Sequence, residues 1–177
     1  MTCQWFRSPK ALILIPLSLV LLVAVACAAL LGYGLYVQHV LFLEPCPLCI
    51  FQRVAFIWIG VVSLLAFIHN PAGKGYWGYS GLVLLGALAG SGIAGRHVWL
   101  QSLPPNQVPD CGAGLNYMLE TMPFADVLSE VFYGSGECAE ISWSFLGLSM
   151  PSWALLWYIG FAIATIVVLI KNGKAKD

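Results

Sequence analysis

Apolar residues in this chain come in long unbroken runs, not in the alternating or 3.6-residue stripes of a soluble domain. The runs occupy about residues 11–31, 49–68, 77–95 and 152–170. Each has the roughly 20 residues that a helix needs to cross about 30 Å of hydrocarbon. Backbone in that medium must satisfy its own hydrogen bonds, so the pattern predicts an all-α membrane protein, a four-helix bundle built as one domain over residues 1–177. The first run follows Arg7 and Lys10, as the core of a signal peptide would, but it exceeds the roughly 7 to 15 residues of such a core and reads as a span. Asn70-Pro71-Ala72-Gly73-Lys74-Gly75 predicts a tight turn between the second and third spans.

Two polar connections remain, a short one at about 32–48 and a long one at about 96–151. The short one has no Lys or Arg and carries Tyr33, Tyr36 and His39, a composition suited to a membrane interface. In the long one Phe124, Val127, Leu128, Val131 and Phe132 recur at helical spacing opposite Asp126 and Glu130. They predict a short amphipathic helix, with either the membrane surface or the protein's own loop as its apolar partner. Gly86 and Gly90 form a GxxxG in the third run, which predicts close helix packing inside the bundle. Ser149-Met150-Pro151 reads as a helix start, with proline in the first turn.

Composition agrees with the pattern: 60% hydrophobic residues, 9% charged and a mean hydropathy of +0.85 exclude an ordinary solvated surface. No basic patch supports nucleic-acid binding. Net charge is zero, yet Arg7, Lys10, Lys74, Lys171, Lys174 and Lys176 fall on one side of the membrane and only Arg53 and Arg96 towards the other. By the positive-inside rule both termini are cytoplasmic and both connections extracytoplasmic.

That topology sorts the six cysteines. Cys3 is cytoplasmic, Cys27 lies within the first span as inert packing, and Cys46, Cys49, Cys111 and Cys138 face an oxidising space. Cys46-Pro47-Leu48-Cys49 can close a small disulfide ring. If Cys49 opens the second helix, Arg53 lies on the same face one turn in, and guanidinium and helix dipole both favour a thiolate at Cys49. An arginine there can also serve only as a snorkelling anchor. Cys111 and Cys138 enclose a segment whose closure is worth roughly 3.5 kcal/mol in the chain-entropy model, so a static staple is the simplest reading of that pair. Four thiolates can in principle bind zinc, but only one pair has close spacing and the compartment favours oxidation, so no metal is expected.

The residues Glu44-Pro45-Cys46-Pro47-Leu48-Cys49-Ile50-Phe51-Gln52-Arg53, Gly134-Ser135-Gly136-Glu137-Cys138-Ala139-Glu140 and Trp143-Ser144-Phe145-Leu146-Gly147-Leu148-Ser149-Met150-Pro151, set among four apolar runs, resemble the DsbB family of quinone-dependent disulfide-bond formation proteins of the Gram-negative inner membrane. The resemblance implies two redox-active pairs, Cys46/Cys49 and Cys111/Cys138. Cys111 and Cys138 would oxidise the soluble periplasmic oxidase DsbA, Cys46 and Cys49 would reoxidise them, and ubiquinone or menaquinone would take the electrons from Cys49. In that scheme Cys111 forms the mixed disulfide with DsbA and the released Cys138 is captured by Cys46. Arg53 matches the family's quinone-site arginine, and His97 and Trp143 occupy positions near the quinone end of the bundle, where interfacial packing is their alternative role.

Two rival readings share parts of this pattern. A reductase carrying electrons outwards needs an inner thiol relay, for which only Cys3 and Cys27 are available, without CxxC spacing. A non-enzymatic four-helix membrane organiser resembling a tetraspanin would share the two loops and loop disulfides, but the Cys-Cys-Gly hallmark is absent from the long connection.

Overall fold

The computed structural model describes residues 9–71, 74–108, 115–134 and 136–174. In chain order the elements are α1 (Pro9–Val40), α2 (Pro47–His69), α3 (Lys74–Gln101), a 3₁₀ turn (Pro105–Gln107), α4 (Leu115–Thr121), α5 (Phe124–Tyr133), α6 (Gly136–Ala139), a hairpin of β1 (Ser144–Phe145) and β2 (Leu148–Ser149), and α7 (Met150–Lys174). Among the described residues, α1, α2, α3 and α7 are long and apolar enough to cross a bilayer. Their outward faces are apolar too: Val54, Ile57, Val61 and Leu64 on α2, Leu85 and Leu88 on α3, and Ile159, Ile163 and Val167 on α7 are all exposed. In water such faces would aggregate; in lipid they are solvated.

Because lipid tails are as apolar as leucine, these helices gain little from apolar burial and must hold together by close approach. α3 supplies that approach, packing against both α2 and α7 while α1 lies along α2. The GxxxG is buried as anticipated and is shared between two neighbours. A Cβ on Gly86 would sit 2.6 Å from Trp58 Cδ1 of α2, and one on Gly90 would sit 2.4 Å from Tyr158 Cε1 of α7. The Tyr158 ring thus admitted is fully buried, stacks on Phe56 at 4.2 Å between centroids, and donates its hydroxyl to the Gln52 carbonyl at 2.6 Å. Cys27 is 1% exposed in the same cluster, with Phe56, Ile59, Ala87 and Phe161, where packing is its role.

The helices outrun the apolar runs. α1 continues through Gly32–Val40, so the connection foreseen over about 32–48 contracts to residues 41–46, and α3 extends to Gln101. α2 begins at Pro47 and not at Cys49. Hydropathy reports depth in the bilayer, whereas a helix persists for as long as its i to i−4 bonds do, which carries it into the headgroup zone. α2 closes on Asn70, in the left-handed region at φ 42°, where the predicted turn begins; Ala72 and Gly73 of that turn lie outside the described residues, and Lys74 and Gly75 already belong to α3.

The long connection holds more structure than the amphipathic helix expected there. That helix is α5, and Val127 and Val131 are buried in a second cluster with Leu48, Leu100, Met118 and Cys138. The protein's own residues, at the ends of α2 and α3 and in the loop, are therefore the partners of these two, while Phe124 and Phe132 of the same stripe are exposed. Arg96 clamps the far end of α5: its Nε and Nη2 donate to the carbonyls of Phe132 and Tyr133 at 3.0 and 2.8 Å, and its guanidinium lies 4.2 Å over the Trp99 ring. A cation on a helix's last carbonyls is well placed for their partial charge. Gly134 follows at φ 92°, where a Cβ would meet Leu100 Cδ1 at 2.4 Å, so only glycine lets the chain turn against α3. The hairpin, which hydropathy does not foresee, turns on Leu146 and Gly147, both at positive φ as a two-residue loop requires.

Candidate functional site

Cys46 precedes the first turn of α2 in extended conformation, and Pro47, lacking the N–H that would go unpaired there, occupies the first helical position. Cys49 is thereby placed at the third helical position, and its Sγ lies 3.2 Å from that of Cys46. Between the thiols, Leu48 is completely buried in the cluster that includes Leu100, Val127 and Cys138. Leu48, one of the two residues between the cysteines, thus anchors the long connection over them.

α6 presents Cys138, 1% exposed, at the same point. The Sγ atoms of Cys46 and Cys138 and a ring nitrogen of His97 all lie within 4.8 Å of one another. His97, near the end of α3 and 1% exposed, sets its Nε2 3.7 Å from Cys46 Sγ and its Nδ1 3.0 Å from Gln52 Nε2. It is buried and in contact with a thiol, and it also lines the same cavity as Cys46 and Cys49. Cys111 and Cys3 lie outside the described residues.

Arg53 lies on the face of α2 that carries Cys49, as the i, i+4 spacing requires. It does not snorkel freely: Nη2 donates to the Gly34 carbonyl at 3.0 Å and Nη1 to Gln38 Oε1, both on α1. The helical extension of α1 past Leu31 is what makes both partners available.

Cys46, Cys49, Arg53, His97, Trp143 and Tyr33 line one cavity of about 500 Å³, within the range usual for a small-molecule site. Trp143 meets Tyr33 edge to face at 5.7 Å and stacks with Phe145 at 6.2 Å, while Trp153 Nε1 donates to the Phe145 carbonyl at 3.1 Å. Tyr33, Trp143, Phe145 and Trp153 thus give aromatic faces to the cavity that the thiols and the guanidinium also line. The arrangement can pass a disulfide between Cys138 and Cys46 on one side and accommodate a flat apolar molecule with hydrogen-bond acceptors on the other.

Gln52, Gln38 and Tyr33 are parts of this site that motif reading overlooks. Two amides inside or beside apolar runs were the available signal, since polar side chains within a membrane segment are costly unless they have a partner. Gln52 is 5% exposed and its side-chain amide meets His97, while Tyr158 donates to its main-chain carbonyl.

Residues 16–168 match the family model described as disulfide bond formation protein DsbB. Proteins named disulfide bond formation protein B are similar over most of their length. That of Hahella chejuensis is 50% identical over 149 residues, 84% of this chain and 90% of the relative. That of Marinobacter nauticus is 46% identical over 156 residues, 88% and 93% of the two chains, and that of Azoarcus sp. is 50% identical over 143 residues, 81% and 84%. These matches, together with four helices able to span a bilayer, make the protein a multi-pass membrane disulfide oxidoreductase: the chain belongs to the DsbB family of disulfide bond formation proteins.

Proposed function

We propose that the protein reoxidises a DsbA-like periplasmic dithiol oxidase and passes the electrons to membrane quinone, from an inner membrane in which both termini face the cytoplasm. The observation that carries this reading is the meeting of three features at one point: Cys138 of the long connection against Cys46, Cys49 beside Cys46, and an apolar cavity that both Cys49 and Arg53 line.

In this mechanism a thiolate of the reduced partner attacks the Cys111–Cys138 disulfide, forming a mixed disulfide with Cys111 and releasing Cys138 as a thiolate. The partner's second thiolate resolves the mixed disulfide, leaving the partner oxidised and Cys111 reduced. Cys138 attacks Cys46 of the Cys46–Cys49 disulfide, a new Cys46–Cys138 bond forms, and Cys49 leaves as a thiolate. Attack of Cys111 on Cys138 restores the loop disulfide and releases Cys46. Burial of Cys138 beside Cys46 favours the middle exchange by proximity.

The cavity fits a quinone head group by its observed features: a guanidinium for a ring carbonyl, aromatic walls for the ring face, and an apolar volume of about 500 Å³. A bound quinone supplies a two-electron, two-proton acceptor for the Cys46 and Cys49 dithiol. Arg53 holds its charge in place through Gly34 and Gln38, where it offsets negative charge on Cys49 and at a ring oxygen in a low-dielectric site.

The test is thiol trapping with purified protein and a reduced thioredoxin-fold partner. With the partner's second cysteine changed to Ala the resolving thiolate is gone, and a stable partner mixed disulfide should accumulate on Cys111 of the oxidised protein. With the wild type, a soluble quinone analogue should be reduced, one per partner oxidised. Trapping that requires Cys46, or partner oxidation without quinone reduction, would overturn the relay.

A further inference from the structure

We propose that in its dithiol state the redox centre is also a reversible zinc site, in which Cys46, Cys138 and His97 close on one ion and hold the relay shut. The proposal rests on Cys46 and Cys138 being exchange thiols, and adds a ligand that competes with their oxidation.

The ligand set comes from three elements, the start of α2, the end of α3 and α6. Sequence spacing, with its single close pair, does not reveal it. Tetrahedral zinc with bonds of about 2.3 Å to sulfur and 2.0–2.1 Å to nitrogen places sulfur and nitrogen about 3.6 Å apart and two sulfurs about 3.8 Å apart. Cys46 Sγ and His97 Nε2 are already 3.7 Å apart, and Cys138 Sγ, within 4.8 Å of both, needs to close by no more than about 1 Å. Cys49 Sγ is 3.2 Å from Cys46 Sγ, and it or a water would supply the fourth ligand. All three ligands are buried or half-buried among apolar side chains, where a thiolate pair gains most from a cation.

Gln52 completes the arrangement. Zinc-bound imidazole takes the metal on one nitrogen and donates a proton from the other to an oxygen acceptor. The Gln52 amide is already 3.0 Å from Nδ1, and turning it over presents Oε1 in place of Nε2. Nε2 then offers its lone pair towards the two sulfurs. Binding is a proton exchange with no electron transfer: the zinc ion replaces the two thiol protons of Cys46 and Cys138, which go to solvent. A Cys46–Cys138 or Cys46–Cys49 disulfide removes the ligands, so the ion binds only the reduced enzyme.

The experiment uses full-length protein in detergent, reduced with a phosphine that does not bind metal, and titrated anaerobically with Co²⁺ as a spectroscopic substitute for zinc. One ion per chain should bind with the intense ligand-field bands of a tetrahedral thiolate site, and zinc should displace it. Cys138→Ala and His97→Gln should each abolish the bands or weaken binding more than a hundredfold. Gln52→Ala should weaken it about 10- to 100-fold, as loss of a ligand's hydrogen-bond partner does. Absence of the bands in reduced wild type, or their persistence in either ligand variant, would overturn the site, since the ion would then sit on the Cys46/Cys49 pair alone. Quinone-analogue reduction measured separately with a metal chelator present reports on the relay, so failure of that function and failure of the metal site are read independently.

Discussion

With its guanidinium bound to the Gly34 carbonyl and to Gln38, Arg53 is fixed by α1 and presents its charge to the cavity about 6 Å further along α2 than Cys49, at 1.5 Å per residue. Arg53→Ala is expected to lower kcat/KM for quinone about 10- to 100-fold, the size of a lost charge-assisted hydrogen bond of about 1.5–3 kcal/mol. Single-turnover oxidation of the soluble partner by already oxidised enzyme should stay near wild type. Arg53→Lys keeps the charge and loses the fork, and should fall between the two. Equal loss in both half-reactions would make Arg53 a purely structural tie between α1 and α2. The pairing of Arg53 with Cys49 was legible because both residues sit four apart on one helix. The contact of His97 with Cys46 was not, because 51 positions separate them and nothing local in either stretch points to the other.

Among the elements, α3 is the one whose sequence and packing can be tested most directly. Gly90→Ala would place a methyl 2.4 Å from the Tyr158 ring, which cannot withdraw without giving up its stack on Phe56 and its bond to the Gln52 carbonyl. A loss of about 1–3 kcal/mol is expected from such overpacking, measured as unfolding in mixed micelles. Gly92→Ala, with nothing within 4 Å of its added methyl, should stay within about 1 kcal/mol of wild type, and similar losses for the two would refute the α3–α7 contact. Spans were readable because a 20-residue apolar run has few physical alternatives. Helix ends and the hairpin were not: the extension of α1 depends on backbone bonds, to which hydropathy is blind, and strands of two residues are too short to show a period.

For the whole molecule the open quantity is orientation, and the charge asymmetry argues it. Reporter fusions at Lys74 and after Lys176 should behave as cytoplasmic and a fusion near Asp110 as periplasmic. A periplasmic Lys74 would reverse the compartment of every cysteine and end the proposed role with it. The clamp of Arg96 on the last carbonyls of α5 adds a consequence for rates. Cys138 is five residues beyond Tyr133, so while the clamp holds, the chain can carry that thiol at most about 18 Å from the anchor. One thiol confined to a sphere of that radius has an effective concentration on the order of 0.1 M around Cys46. At that concentration the internal exchange is first order and outruns small-molecule thiols at millimolar levels. Arg96→Ala would thus lengthen the tether, lower that concentration and make the exchange easier for glutathione to intercept.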